Sequence, residues 1–322
     1  MKTFRILSID GGGIKGVFPA AFLACLEEQI GNSVGKYFDL IVGTSTGGII
    51  AIGLGLGFSA KDLLSFYESL GPKAFAGNPL LRALRQIGFS KYSPQPLRQA
   101  LTDKFGTRRL GESSVRLMVP SMNMESGEVH VFKTAHHPRF ERDHKESAVE
   151  VALATAAAPT FFPPHEFANG IPLVDGGMWA NDPVGFAVVE AISVLEWPRE
   201  RLEVLSLGCT TPPFDTKLGW KFGRGGLFWA RKVSATFMSG QSSGSIGIAK
   251  LLAGEEHVHR YNPVVPKDRF EMDRVADIPS LRGYGYTEAR KALPKLRSTF
   301  FSEKAEPFIP HHTLQNSIGA TI

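Results

Sequence analysis

The sequence predicts an α/β fold built on a largely parallel central sheet, and three observations carry this. Short apolar runs of strand length alternate with stretches of helical apolar spacing along most of the chain. Two of those runs end in glycine-rich turns, at 10–16 and 43–48, that lead straight into helical stretches. Glycine is over-represented, 34 of 322 residues or about 11% against roughly 7% in average proteins, and it clusters at those junctions. With 43% hydrophobic and 21% charged residues the chain can bury a full core, which excludes a disordered or low-complexity polymer.

Phe4 to Ile9 is a short apolar run that reads as a buried strand, ending at Asp10-Gly11-Gly12-Gly13. Val17 through Ile30 has helical spacing, and Pro19 is tolerated in its first turn. Phe38 to Val42 reads as a second buried strand, again followed by a glycine turn and a helix. Ser59 with Asp62 forms a capping-box pattern opening a helix through Leu70, which Gly71-Pro72 should stop. Residues 73–96 read as irregular. Val115–Asn123 and Val129–Lys133, separated by Glu125-Ser126-Gly127, read as a hairpin. An alanine-rich helix is expected over 146–158, ending at Pro159. Leu173-Val174 lead into Asp175-Gly176-Gly177, and Asp182-Pro183 should cap a helix to about Leu195. Val204–Leu207 reads as another buried strand. Residues 212–247 mix aromatic, basic, serine and glycine residues and read as a mobile surface element. A closing helix is expected after about Arg282, with a weakly ordered end.

Length fits one domain over 1–322, with a core at 4–210, a lid or interfacial segment at about 212–247 and a helical closure at about 282–322. Cys25 and Cys209 lack CxxC or Cys/His spacing, so neither a disulfide framework nor a metal site is expected. Residues 1–10 carry charge too early for a signal peptide, and no run of 18 apolar residues spans a bilayer. A soluble cytoplasmic protein is the expectation. The net charge of +5 has no concentrated basic stripe, which argues against a nucleic-acid polymer as partner and leaves anionic lipid compatible.

Gly43-Thr44-Ser45-Thr46-Gly47 is a G-x-S-x-G between a strand and a helix, the context of a nucleophile elbow. The small flanking residues let the chain turn sharply, so that Ser45 projects while the Thr46 N–H and the helix N-terminus face an oxyanion. Asp10-Gly11-Gly12-Gly13-Ile14-Lys15-Gly16 exposes a row of backbone N–H groups and reads as an anion cradle. Its anion is either a pyrophosphate, since Gly11, Gly13 and Gly16 satisfy G-x-G-x-x-G, or the oxyanion of a tetrahedral intermediate. A dinucleotide fold wants an acid at the C-terminal end of the second strand, and here that strand ends in Gly43-Thr44-Ser45. A serine nucleophile needs a base. Asp175 is the best-placed carboxylate, although a capping aspartate in a tight turn fits its residues equally. A Ser-Asp-His triad with His257, His259, His311 or His312 stays open, while His136-His137 and His311-His312 read as surface residues.

Three glycine signals in this order, Asp10–Gly16, Gly43–Gly47 and Asp175–Gly177, resemble the patatin-like phospholipase family. The resemblance spans 4–210 and includes Ala154-Thr-Ala-Ala-Ala-Pro-Thr-Phe-Phe162 and Leu205-Ser-Leu-Gly208. It implies a three-layer α/β/α fold and a Ser-Asp dyad of Ser45 and Asp175. It further implies an oxyanion hole from the N–H groups of Gly11, Gly12 and Gly13, and release of fatty acids from membrane phospholipids without a cofactor or metal. Asp10, Lys15, Gly16, Gly43, Thr46, Gly47, Gly176 and Gly177 would support that site. Lys15 stands where the family usually has Arg, and Cys209-Thr210 replaces a glycine-bearing continuation. Trp220, Phe222, Phe228 and Trp229, interleaved with lysines and arginines, suit contact with the inner membrane surface or a lid. The chain also resembles the bacterial phospholipase effectors of anti-phage systems that cyclic dinucleotides switch on. Arg82, Arg85, Lys91 and Tyr92 are groups able to grip such a ligand. The rival reading from another class is a non-enzymatic phosphate- or nucleotide-binding α/β module, in which Ser45 is only a cap. Oligomeric state is not legible.

Overall fold

The computed structural model describes residues 2–74, 89–167, 170–213, 226–266 and 269–314. Strands β1 (Phe4–Ile9), β2 (Leu40–Gly43), β3 (Arg116–Asn123), β7 (Leu202–Leu207) and β8 (Val258–Tyr261) form a parallel core in the spatial order β3-β2-β1-β7-β8. β4 (Val129–Lys133), β5 (His165–Glu166) and β6 (Pro172–Asp175) add antiparallel partners at the β3 side. The sheet is therefore mostly parallel, as the strand-helix alternation demands.

Side chains alternate across the sheet and feed two cores. On one face Leu7, Ile9, Ile41, Leu205 and Leu207 pack beneath helices α1 (Val17–Ile30), α2 (Thr46–Gly55), α3 (Ala60–Ala74), α4 (Gln95–Phe105), α5 (Ala148–Thr155) and α9 (Ile278–Phe300). On the other, Ile6, Leu40, Val42 and Val204 meet α7 (Val184–Ser193) and the C-terminal half of α8 (Gly226–Ala253). The short α6 (Gly177–Ala180) precedes α7. Helices cover both faces, which makes three layers.

Several elements differ from expectation. The Ser59–Asp62 capping box is formed, with the Asp62 N–H on Ser59 Oγ at 3.0 Å and the Ser59 N–H on Asp62 Oδ2 at 3.2 Å. Yet α3 continues past Gly71-Pro72 to Ala74, the last described residue before 75–88. Of the stretch 73–96, residues 75–88, with Arg82 and Arg85, lie outside the described residues, and α4 starts at Gln95. The Ser/Gly-rich run of 239–247 is helical, not a loop. Ser245 Oγ takes the Gly185 N–H at 2.9 Å and donates to the Asp182 carbonyl at 2.7 Å, so small polar residues let α8 sit close to α7. Trp220 and Phe222 lie outside the described residues, while Phe228 and Trp229 fall in α8. The closing helix starts at Ile278. Beyond it the chain is tied back, through Ala305 N–H to the Lys36 carbonyl at 2.9 Å and His311 N–H to the Ala135 carbonyl at 2.8 Å.

α9 lies along α1 at very short range. A Cβ at Gly285 would meet the Phe18 carbonyl oxygen at 2.6 Å and the Ala21 Cβ at 2.7 Å, whereas Gly283, two residues away, faces open space. Gly285→Val is therefore expected to destabilise the protein by about 1–3 kcal/mol through overpacking. Gly283→Ala should stabilise it by about 0.5–1 kcal/mol. Denaturant midpoints of the two variants check the pair.

Candidate active site

Ser45 and Asp175 reach each other because of one feature of β3. That strand pairs β4 along one edge from Met118 to Met122. Its opposite edge carries β2 only as far as Met118, opposite Val42, and then β6 from Ser121, opposite Asp175. Strands β2 and β6 thus run toward each other along the same edge, and their C-terminal ends face across a gap. Pro120 occupies that gap, where the N–H it lacks would have met no strand. Its carbonyl accepts the Thr155 hydroxyl at 2.6 Å, and Thr155 Oγ1 in turn accepts the Ser45 N–H at 3.0 Å.

Ser45 is buried and holds φ 55° and ψ −121°, a conformation disfavoured for any residue with a Cβ. The surroundings over-determine it. Thr44 Oγ1 donates to the Ala180 carbonyl at 2.6 Å, the Gly47 N–H to the Thr44 carbonyl at 2.8 Å, and the Tyr67 hydroxyl to the Thr46 carbonyl at 2.8 Å. Gly47 must be glycine, since a Cβ there would strike the carbonyls of Ile9 and Asp10.

Asp175 is 4% exposed and accepts the Gly177 N–H at 2.7 Å, with the Ser45 hydroxyl as a neighbouring donor that stabilises its charged form. Its own N–H goes to the Ala157 carbonyl at 3.1 Å. Burial raises its carboxyl to about 6, against the opposing pull of those two donors. It remains a carboxylate at neutral pH with more basicity than a solvated one, which is what proton abstraction from a hydroxyl needs.

The glycine loop lies beside Ser45. The Gly11 N–H donates to the Asn181 carbonyl at 2.9 Å and the Ile14 N–H to the Met272 carbonyl at 2.8 Å. Gly12 and Gly13 are left as N–H groups without a partner among the described residues. Gly13 has φ 59° and its α-carbon abuts the Met272 carbonyl, so this loop geometry is open only to glycine. Gly16 abuts Thr46, Gly43 abuts Gly47, and Gly176 abuts the Pro120 carbonyl, so the supporting glycines all line close approaches. Lys15 Nζ donates to the Thr210 carbonyl at 3.2 Å, and burial lowers its pKa.

This geometry agrees with the comparisons. Residues 7–188 match the family model described as patatin-like phospholipase. The chain belongs to the patatin-like phospholipase family. A "cGAMP-activated phospholipase" of Pseudomonas aeruginosa is 33% identical, with 97% of this chain and 96% of that protein covered. Proteins of the same description from Escherichia coli and Vibrio cholerae are 28% and 34% identical. The former covers 94% of each chain and the latter 63%.

No histidine is hydrogen-bonded to Ser45 or Asp175 among the described residues. His257 and His259 both bind Glu203, at 2.8 and 2.7 Å, and His312 binds the Pro138 carbonyl at 2.6 Å. His136 is buried, contrary to expectation, because Glu190 at 2.9 Å and Thr134 at 2.9 Å satisfy both ring nitrogens. No cluster of three or more His, Cys, Asp or Glu suited to a metal occurs among the described residues. A cavity of about 520 Å³ lies beyond Ala156 and Ala157, lined by Leu97, Leu153, Phe162 and Phe167, and neither Ser45 nor Asp175 opens onto it. Lys91 and Tyr92 hold Asp273, at 2.5 and 2.7 Å, so both are engaged within the fold. Sequence reading missed Thr155 as the partner of the Ser45 N–H; only its place in the alanine-rich run signals it.

The strain at Ser45 has a measurable consequence. Ser45→Gly and Ser45→Ala both lose the hydroxyl, but only glycine relaxes at this φ. Ser45→Gly is therefore expected to be the more stable by about 1 kcal/mol, read from urea midpoints of the two variants.

Proposed function

We propose that this chain is a phospholipase that releases fatty acids from membrane phospholipids through Ser45 and Asp175, and that a cyclic dinucleotide switches it on. The observation that carries the catalytic half is the placement of buried Ser45 and the buried Asp175 carboxyl at the facing C-terminal ends of β2 and β6. Asp175 takes the hydroxyl proton as the Ser45 oxygen attacks the ester carbonyl. The negative oxygen that forms is met by the Gly12 and Gly13 N–H groups, and the Thr46 N–H at the start of α2 adds a third donor. The intermediate collapses, the proton passes from Asp175 to the departing alcohol, and water then releases the acyl group by the same steps in reverse order.

The lipid substrate and the activator are drawn from the three relatives described as cGAMP-activated phospholipases. Action at a membrane surface has support of its own. Val233, Phe237, Ile248 and Leu251 share one face of α8 and all are exposed, Phe237 by 72% and Leu251 by 85%. In the sequence it follows the aromatic and basic run of 220–232, whose ring-bearing and cationic residues suit the headgroup region of anionic lipid. No helix among the described residues is long and apolar enough to cross a membrane, so contact would be peripheral.

Fatty acid release from mixed phospholipid vesicles, with and without a panel of cyclic dinucleotides including cGAMP, tests the whole reading. Wild type should turn over with one nucleotide, and Ser45→Ala and Asp175→Asn should lose at least about 10⁴-fold. Nucleotide binding with no lipid or aryl-ester hydrolysis in any condition would instead favour the phosphate-binding module. The pH profile is a separate check. Asp175 acts as base only when ionised and its carboxyl sits at about 6. The kcat/KM for a soluble ester should therefore fall tenfold per unit below about pH 6 and level off above it.

A further inference from the structure

The glycine loop and the turn after Asp175 come from distant parts of the chain, yet one cation grips both. Arg260 sits on β8, beside Ser206 of β7 in the parallel register. Its guanidinium forks onto Asp10, with Nη1 to Oδ1 at 2.8 Å and Nη2 to Oδ2 at 2.6 Å. Nη1 also reaches Ser206 Oγ at 2.8 Å and Asp182 Oδ2 at 3.3 Å. Asp10 immediately precedes Gly11–Gly13. Asp182 follows Asn181, whose carbonyl holds the Gly11 N–H.

Both carboxylates are buried, Asp182 completely. Asp182 is further locked by the Val184 N–H on Oδ1 at 3.1 Å, by Ser242 Oγ on Oδ2 at 3.1 Å, and by Gln241, which pairs with its backbone N–H and carbonyl at 3.0 and 2.9 Å. Lys15 adds a second positive charge acting on Asp10. The bidentate contact of Arg260 with Asp10 constrains the cluster, since a planar fork fixes both angle and distance.

We propose that Arg260 is a positioning residue of the hydrolase site. By clamping Asp10 to Asp182 it sets where the Gly12 and Gly13 N–H groups stand relative to the Ser45–Asp175 dyad. This rests on the Ser45–Asp175 reading and adds to it a residue that lies outside the stretch 7–188 matched by the family model. Burial raises the Asp10 carboxyl and Arg260 opposes that rise, so loss of the guanidinium removes both the fork and the charge that favours the Asp10 carboxylate. An oxyanion hole displaced by a fraction of its hydrogen-bond length loses transition-state binding before it loses substrate binding.

The test uses the full chain with Arg260→Gln, Arg260→Lys and Asp182→Asn, with Ser45→Ala as control. A soluble aryl ester gives kcat and KM, and a trifluoromethyl ketone, whose serine adduct carries an oxyanion, reports the hole directly. In Arg260→Gln, kcat should fall about 10–100-fold with KM little changed, and ketone affinity should fall by the same factor. Arg260→Lys should recover only part, because a point charge cannot reproduce the fork. A folded Arg260→Gln with unchanged kcat and ketone affinity, or one that changes only KM or only the melting temperature, overturns the proposal. Should Arg260→Gln fail to fold, Asp182→Asn removes one arm of the clamp and is read in the same way. Turnover that survives Ser45→Ala overturns the dyad itself and this proposal with it.

Discussion

Two strands meeting end to end on one edge of a third is the constraint on which the site depends. β2 stops opposite Met118 and β6 arrives opposite Ser121, so the Ser45 turn and Asp175 face each other across a gap. Everything nearby serves that gap. Pro120 fills it without an unmet N–H, Thr155 bridges its carbonyl to the Ser45 N–H, and Gly176 lets the chain turn against it. Asp175 is held opposite Ser121 on the sheet ladder, which fixes where its carboxylate stands.

Much of this was legible in the sequence, and the reasons are local. β1, α1, β2, the β3–β4 hairpin and β7 carry strong apolar periodicity, and their observed positions follow it closely. The glycine turns announced themselves because only glycine fits where backbones approach, as at Gly47 and Gly13. What was not legible depends on contacts far apart in sequence. β8 is four residues long with His259 and Arg260 in it, and nothing in its pattern separates it from a loop. The Gly11 N–H was expected in the oxyanion hole but is held by Asn181, a partner 170 positions downstream that no spacing rule supplies. The helix over 226–253 failed to register because its serines and glycines signal a linker, whereas tertiary packing against Asp182 and Gly185 overrides that propensity.

Charge is distributed unevenly through the molecule. Exposed pairs such as Lys250–Glu255 contribute little. Beneath the glycine loop, by contrast, Asp10 and Asp182 are buried, with Arg260 and Lys15 half-buried against them. Such a cluster is a poor source of stability, since desolvation offsets much of the attraction. Its value lies in geometry: the Arg260 fork and its contacts with Ser206 and Asp182 hold one arrangement, and the backbone attached to it inherits that arrangement.

The order in which these parts leave the ribosome gives the architecture a temporal meaning. Ser45 and the glycine loop are made early, but their supports are made late: Arg260, the Met272 carbonyl on Ile14, and Gly285 of α9 against α1. At about 5–20 residues per second, tens of seconds separate synthesis of the nucleophile from that of the elements that seat it. A nascent chain therefore carries Ser45 without the elements that seat it, and the site is finished only once β8 and α9 have been made.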